Sequence, residues 1–153
     1  MGGSARDSLR TLLDSARAEL LAAIEGLTPE QMTVPVIGDW SAKDILAHVS
    51  AWEQQIVPDL ERVRDEFTPA LAQFREQDAD RWNELMMGLR RTFSLTQTLH
   101  ELGHYRQEVL RRLDQLEERH LSSGFVPATC AIASGHDRDH AGQIREWRRR
   151  EGF

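Results

Sequence analysis

WSAKDILAHVSAW, residues 40–52, marks the start of an amphipathic helix. Ser41 and Asp44, three residues apart, resemble a capping box, in which each side chain accepts a hydrogen bond from a free amide of the first helical turn. From Ile45 onward an apolar residue recurs every three or four positions, which is the period of a helix that buries one face. The stretch therefore predicts a core helix, and Pro58 further along predicts a kink or break in it.

Three further segments of the chain show the same helical periodicity, and signs of β-structure are few. Helical periodicity predicts a first helix over about residues 5–25, an unusually long third helix over about 79–118 and a fourth over about 130–150. Residues 67–77 form a long connection between the second and third helices. These features predict an all-α fold, a four-helix bundle with a long crossover connection, in a single domain over residues 1–153.

Composition narrows the class of protein and of partner. The 153 residues are 40% hydrophobic and 29% charged, which is typical of a globular chain. The net charge of −6 argues against nucleic-acid binding, which favours a basic surface. The single cysteine, Cys130, excludes an intramolecular disulfide, and no apolar stretch approaches the ~20 residues of a membrane span. We therefore expect a cytoplasmic protein that binds neither nucleic acid nor membrane, with Cys130 as a buried structural thiol.

Three of the six histidines are in phase with the apolar faces of the predicted helices. His136 and His140 are four residues apart, so they share the face of the fourth helix that also carries Ile132 and Ile144. His48 lies at the edge of the apolar face of the second helix. Three such imidazoles can bind Zn²⁺, Ni²⁺, Cu²⁺ or Fe²⁺ and leave coordination positions for water or substrate. Periodicity alone does not bring the two helices together, so packing of these histidines in the core is the alternative interpretation.

A second histidine motif competes with this one. His100-Glu101-Leu102-Gly103-His104 matches the pattern of zinc proteases, in which two histidines bind zinc and the glutamate is the general base. However, His100 and His104 point away from the apolar face of their helix, and the chain offers almost no edge strand to hold a peptide substrate. We therefore keep a zinc protease as a minor alternative only.

Several other side chains could complete a histidine site. Glu53, Asp137 and Asp139 lie next to the predicted site and could orient the ligands or act as general bases, although solvation at the surface explains each of them equally well. Trp52 and Trp147 are in phase with the histidines. These two rings are therefore predicted either to pack in the core or to line the mouth of the site.

Three segments of the chain resemble a known family. Residues 38–53, with a Trp-Ser pair, an apolar helix, a histidine and a Trp-Glu pair, resemble the second-helix signature of the DinB-like superfamily. Residues 134–144 are similar to its second signature, His-x-x-x-His followed by isoleucine or leucine. Residues 80–83, Asp-Arg-Trp-Asn, resemble the start of the third helix in the DfsB/ClbS branch.

The resemblance implies a fold, a metal site and a choice of functions. It implies an up-down-down-up bundle, one divalent ion (zinc or nickel above all) held by His48, His136 and His140, and a homodimer. Members of the superfamily include transferases that use a low-molecular-weight thiol, an isomerase and a hydrolase. Our first hypothesis is a metal-dependent enzyme that attacks a small electrophilic molecule with water or a thiolate, in detoxification or stress. The alternative is a non-catalytic metal-containing bundle that binds a small ligand or a partner protein.

Overall fold

Helices make up most of the chain. The computed structural model describes residues 3–153, so Met1 and Gly2, the first residues of the predicted domain, lie outside it. The helices are α1 (Ala5–Ile24), α2 (Ala42–Arg64), α3 (Glu76–Arg90), α4 (Leu95–Asp114), α5 (Glu118–Ser122) and α6 (Phe125–Glu151). Two short antiparallel strands, β1 (Pro35–Ile37) and β2 (Trp40–Ser41), precede α2. The predicted all-α class is confirmed, and no helix in this range is long and apolar enough to cross a membrane.

The predicted capping box starts α2. The Ser41 side chain accepts a hydrogen bond from the amide of Asp44, and the Asp44 carboxylate accepts one from the amide of Ser41. The helix then continues through Pro58 to its end, so the predicted break is absent. Burial of Ile56 and Leu60 on either side of the proline stabilises the helical backbone, and this packing outweighs the hydrogen bond that the proline cannot donate.

The predicted third helix is wrong in its length. The chain leaves the helical conformation between Arg90 and Leu95, because Ser94 and Gln97 form a second capping box that starts α4 as a separate helix. Leu99, whose helical spacing from Leu95 and Leu102 predicts an inward position, is 40% exposed.

The fourth predicted helix is longer than expected and begins at Phe125. Gly124 precedes it with a φ of 88°, a backbone conformation that favours glycine. Pro127 lies in the first turn, where a helix has no use for the amide hydrogen that proline lacks, so it does not delay the start of the helix.

The apolar interior has two parts. The site-end core consists of Leu20, Ala23, Met32, Val36, Ala42, Ile45, Leu46, Val49, Leu102, Ala141, Ile144 and Trp147. The distal core consists of Leu9, Leu13, Ile56, Leu60, Val109, Leu113, Leu116, Leu121, Val126 and Cys130. α1 packs mainly against α6, and α2 packs mainly against α4.

One charged residue on each of α1, α2, α4 and α6 lies in the sequence between the residues of the two cores. Arg17 separates distal-core from site-end residues of α1, and Glu53, Arg106 and Asp137 do the same in α2, α4 and α6. All four are at most 7% exposed. We call Arg17, Glu53, Arg106 and Asp137 the charged layer, because buried charges require partners and these residues are partners of one another.

Candidate metal centre

α2 and α6 bring the three predicted histidines together. The Nε2 atoms of His48 and His136 lie 2.7 Å apart, and those of His136 and His140 lie 3.0 Å apart. One ring nitrogen from each of the three residues falls within 4.8 Å of the others. Two imidazoles at tetrahedral positions of one zinc ion have nitrogen atoms about 3.4 Å apart, given Zn–N bonds of about 2.0–2.1 Å. The structure thus holds the rings at nearly the spacing that a single ion requires.

The three rings have too few N–H donors to satisfy the ring nitrogens that face one another. Nδ1 of His140 lies 2.7 Å from the side-chain oxygen of Gln143, and a hydrogen bond donated by Nδ1 leaves a lone pair on Nε2 of the neutral ring. Nε2 of His136 faces the Nε2 atoms of both His48 and His140, yet it carries at most one proton. The three nitrogens therefore cannot all be satisfied by one another, whereas one cation at their centre satisfies all of them.

The protein also keeps these rings in the protonation state that binds metals. Burial, followed by repulsion from the other two histidines, lowers the pKa of His48 to about 3, although a hydrogen bond with Asn83 opposes the shift. Burial, followed by the charge of His140, lowers the pKa of His136 to about 4. Burial likewise lowers the pKa of His140. All three imidazoles are consequently neutral near pH 7, so a metal ion does not have to displace a proton.

Neighbouring side chains hold the rings in place. The Trp40 ring packs against that of His48, with centroids 4.8 Å apart. The Asn83 side-chain oxygen accepts a hydrogen bond of 2.8 Å from the indole nitrogen of Trp52. The contributions of Gln143 and Asn83 were not predicted. The three-residue spacing from His140 to Gln143 is the one sequence signal that could have indicated the first of them.

A cavity of about 760 Å³ opens beside the triad. His48 and His136 line one end of it. Trp52 lines it too, which is one of the two alternatives considered for this ring. Trp147 does not line the cavity, because it is 1% exposed and belongs to the site-end core. The volume falls in the range of small-molecule sites, which is about 300–1,000 Å³. A ligand in this cavity would therefore lie against two of the three candidate metal ligands.

The predicted acidic neighbours lie in two different environments. Oε1 of Glu53 accepts hydrogen bonds from Arg17 at 3.0 Å and from Arg106 at 2.8 Å. Oδ2 of Asp137 accepts from the same two arginines, at 3.0 and 2.9 Å. Both carboxylates thus form ion pairs with arginines rather than contacts with the histidines, and neither arginine was predicted from the sequence. Asp139 is exposed at the edge of the cavity.

The rival zinc-protease motif does not assemble. His100 and His104 are exposed, as their helical phase predicted, and their rings stack with centroids 6.2 Å apart. Glu101, the predicted general base of that motif, forms an ion pair of 3.1 Å with Arg90. Within residues 3–153, the three side chains placed so that they could hold a metal ion are His48, His136 and His140. Neither histidine of the protease motif belongs to this group.

Two further predictions concern α6. Cys130 is buried as expected, and burial raises the pKa of its thiol to about 11, so it stays protonated near neutral pH. Ile132, predicted to share the inward face of the histidines, is instead 73% exposed, although it still contributes to the lining of the cavity. This side of α6 borders the cavity rather than the packed core, so the Ile132 side chain stays exposed.

An all-helical fold with a convergent histidine triad beside a small-molecule cavity defines a class of small proteins equipped to bind a metal ion. The family model of the DinB superfamily matches residues 12–144, and the chain belongs to that superfamily. Comparison with the curated proteins found no match, and comparison with the solved structures found none either.

Proposed function

We propose that this chain is a metal-dependent enzyme that acts on a small electrophilic molecule. The observation that carries the proposal is the position of the triad, since two of its three imidazoles line a cavity of small-molecule size. A histidine cluster that served only packing would have no reason to face such a cavity with unshared lone pairs. Membership of the DinB superfamily supports a metal-binding role for the same residues.

The residues fit a divalent transition-metal ion. His48, His136 and His140 would hold it. Neutral imidazoles suit zinc and nickel, the two ions that the resemblance to the DinB-like superfamily favours. When bound, the ion supplies a Lewis acid that activates water or a thiol as a nucleophile. Three protein ligands leave positions for the reactants, as in catalytic rather than structural zinc sites.

The remaining residues of the site position the reactants. The hydrogen bond with Gln143 fixes the ring of His140, and Trp40 restricts the ring of His48. The apolar walls of the cavity exclude water from the substrate. Asn83 belongs to the segment that resembles the DfsB/ClbS branch and also lines this cavity, which supports assignment to that branch, with its up-down-down-up topology and a role in detoxification or stress.

A non-catalytic role is the second candidate. The cavity is apolar over most of its lining, and such a cavity can bind a small ligand without chemistry. In that case the metal would serve to orient the ligand or to stabilise the fold. The two candidates differ in turnover and not in metal content, so both quantities have to be measured.

Metal content is the first test. We expect about one zinc or nickel ion per chain, by mass spectrometry on protein purified without a metal-affinity tag, as for a site with three imidazole ligands. The His136→Ala variant should lose the ion, whereas His104→Ala, which removes an exposed histidine of the rival motif, should retain it. Loss of metal in His104→Ala and retention in His136→Ala would overturn the assignment.

Turnover is the second test. Metal-loaded protein and His136→Ala are incubated with styrene oxide, a neutral apolar electrophile, in water and with an added thiol. Consumption that requires His136 supports the enzyme. Metal binding without consumption of this or related epoxides favours the non-catalytic candidate.

A further inference from the structure

The cavity beside the triad has an unusual distribution of charge. Its aromatic walls are Trp52, Phe74 and Phe125, and aliphatic side chains make up about half of the rest. Among its described lining residues there is no lysine and no arginine. The charged residues that do line it are all acidic, namely Glu53, Asp137 and Asp139. A ligand with a carboxylate or phosphate would find no cationic side chain here.

The arginines behind the cavity wall are already occupied. Each of the three guanidinium nitrogens of Arg17 donates a hydrogen bond, to Glu53, to Asp137 or to a backbone carbonyl oxygen. The three nitrogens of Arg106 are used in the same way. Recruiting either arginine to an anionic ligand would break a buried ion pair, which is strongly unfavourable.

One acceptor of the charged layer has no partner. Glu53 is 3% exposed, and its Oε1 receives both arginines. Its Oε2 is buried, and it has no hydrogen-bond partner in the described part of the chain. Glu53 also lines the cavity, so a small shift of its side chain would let an N–H or O–H group of a ligand supply the missing donor.

We propose that the cavity takes an uncharged or singly cationic, mainly apolar molecule with a hydrogen-bond donor for Glu53, and that water rather than an anionic thiol is the second reactant. This inference rests on the proposed function and selects the hydrolytic form of it. A thiol such as glutathione carries carboxylates, which would lose their hydration in the cavity without gaining a cation. A metal ion at the triad adds positive charge at one end only and leaves the aromatic walls unchanged.

The reaction that follows consumes one water molecule. The water oxygen forms a bond to the electrophilic carbon of the substrate, and the bond from that carbon to its leaving atom breaks. The leaving atom keeps the electron pair and takes up a proton, while the water loses one. No oxidant or reductant is required.

A matched series of ligands tests the selectivity. Naphthylmethanol, naphthylmethylamine and naphthylacetate share one apolar ring system and differ in charge, and glutathione represents the anionic thiols. We expect the alcohol and the amine to bind the purified protein at least about tenfold more tightly than the acetate, by isothermal titration calorimetry. Naphthylacetate or glutathione binding as tightly as naphthylmethanol would overturn the proposal.

A charge added at the rim provides the control. Ile132 is 73% exposed and lines the cavity, so Ile132→Lys places an ammonium group there with little effect on folding. This variant should bind naphthylacetate several-fold more tightly and naphthylmethylamine more weakly. Leu21→Lys makes the same change at a position that is 45% exposed and outside the cavity lining, and it should change neither affinity. Equal effects of the two variants would show that the ligands bind elsewhere, against the proposal.

These results are independent of the test of the proposed function. Binding of the naphthyl series needs neither metal nor turnover, so a protein without metal or activity can still show the expected selectivity. Conversely, a metal-dependent enzyme that prefers naphthylacetate would keep the proposed function and refute its hydrolytic form.

Discussion

α6 contributes adjacent residues to two buried polar clusters of opposite character. Asp137 belongs to the charged layer, in which two carboxylates and two guanidinium groups pair with one another. His136 belongs to the triad, in which three neutral bases face each other with too few protons to share. Apart from Oε2 of Glu53, the charged layer is satisfied within the chain, whereas the triad keeps lone pairs that a cation would satisfy. The charged layer therefore holds the helices together, whereas the triad is the cluster that the fold presents to a ligand.

Electrostatics explains why the charged layer tolerates burial. Burial alone would lower the pKa of Arg106, but the charges of Glu53 and Asp137, together with their hydrogen bonds, raise it. The layer is formally neutral, and its arginines reach across from α1 and α4 to carboxylates on α2 and α6. It therefore fixes the register of all four long helices at one level, next to the cavity.

The largest effect is expected from breaking the charged layer. Arg106→Leu leaves two buried carboxylates with a single arginine, and we expect the free energy of unfolding to fall by about 3–5 kcal/mol. Urea denaturation of metal-free protein measures this change. Arg111→Leu on the same helix removes an exposed arginine that pairs with Glu108 and should cost only about 0–1 kcal/mol. Similar losses in both variants would mean that the layer stabilises no more than a surface ion pair does.

The next effect is a loss of stability of the metal-free protein in acid. The unfolded chain protonates its histidines below a pKa of about 6.5, whereas folded His136 and His48 resist protonation down to about pH 4 and about pH 3. Because the unfolded state binds more protons, the free energy of unfolding decreases as the pH falls from about 6.5 to about 4. We expect a decrease of several kcal/mol from these two residues together, since each pKa unit is worth about 1.4 kcal/mol.

The His48→Asn/His136→Asn double variant isolates this contribution. Carboxylates elsewhere titrate in both proteins, so the difference between the two urea-unfolding curves measured across this pH range reports the histidines alone. If the double variant loses as much stability in acid as the parent protein does, the rings are not shielded from protons as the structure indicates.

The charged layer shows what periodicity could have revealed about the fold. The helices were predictable because apolar residues recur at helical spacing, yet Arg17 and Arg106, which are in phase with these apolar residues, were not identified as buried. Arg17 is four residues after Leu13 and three before Leu20, both in the core. Arg106 has the same relation to Leu102 and Val109. Such positions predict burial, but partners on distant helices follow from the three-dimensional packing and not from spacing.

The grouping of the three histidines was predictable from the sequence, and the surroundings of the group were not. His136 and His140 follow from four-residue spacing, and His48 follows from its helical phase. The resemblance to the DinB-like superfamily, which a family match now supports, placed the three in one predicted site. The cavity escaped prediction because its walls come from separate parts of the chain, including Phe74 in the long connection. The third helix was mispredicted because the second capping box, at Ser94, lies within an uninterrupted apolar pattern.

A smaller effect is expected from the residue that orients His140. Gln143→Ala removes the acceptor for its Nδ1 proton and should weaken metal binding about 10–100-fold, as loss of such partners does in other metal sites. Competition with a chelating dye measures the affinity. Gln143→Glu keeps an acceptor at the same place and should recover most of the loss. Equal affinity in Gln143→Ala and the parent protein would show that the ring needs no support.

The smallest effect provides the sharpest contrast between the two clusters. Without metal, His136→Ala should change the free energy of unfolding by less than about 1 kcal/mol, because it removes a ring with unsatisfied lone pairs that borders a cavity. Asp137→Ala, one residue along, should cost several times more because it leaves two buried arginines with a single carboxylate, that of Glu53. Thermal and urea unfolding of both variants compare them directly. A large loss in His136→Ala would mean that the triad is itself part of the structural core, and the separation between the two clusters would not hold.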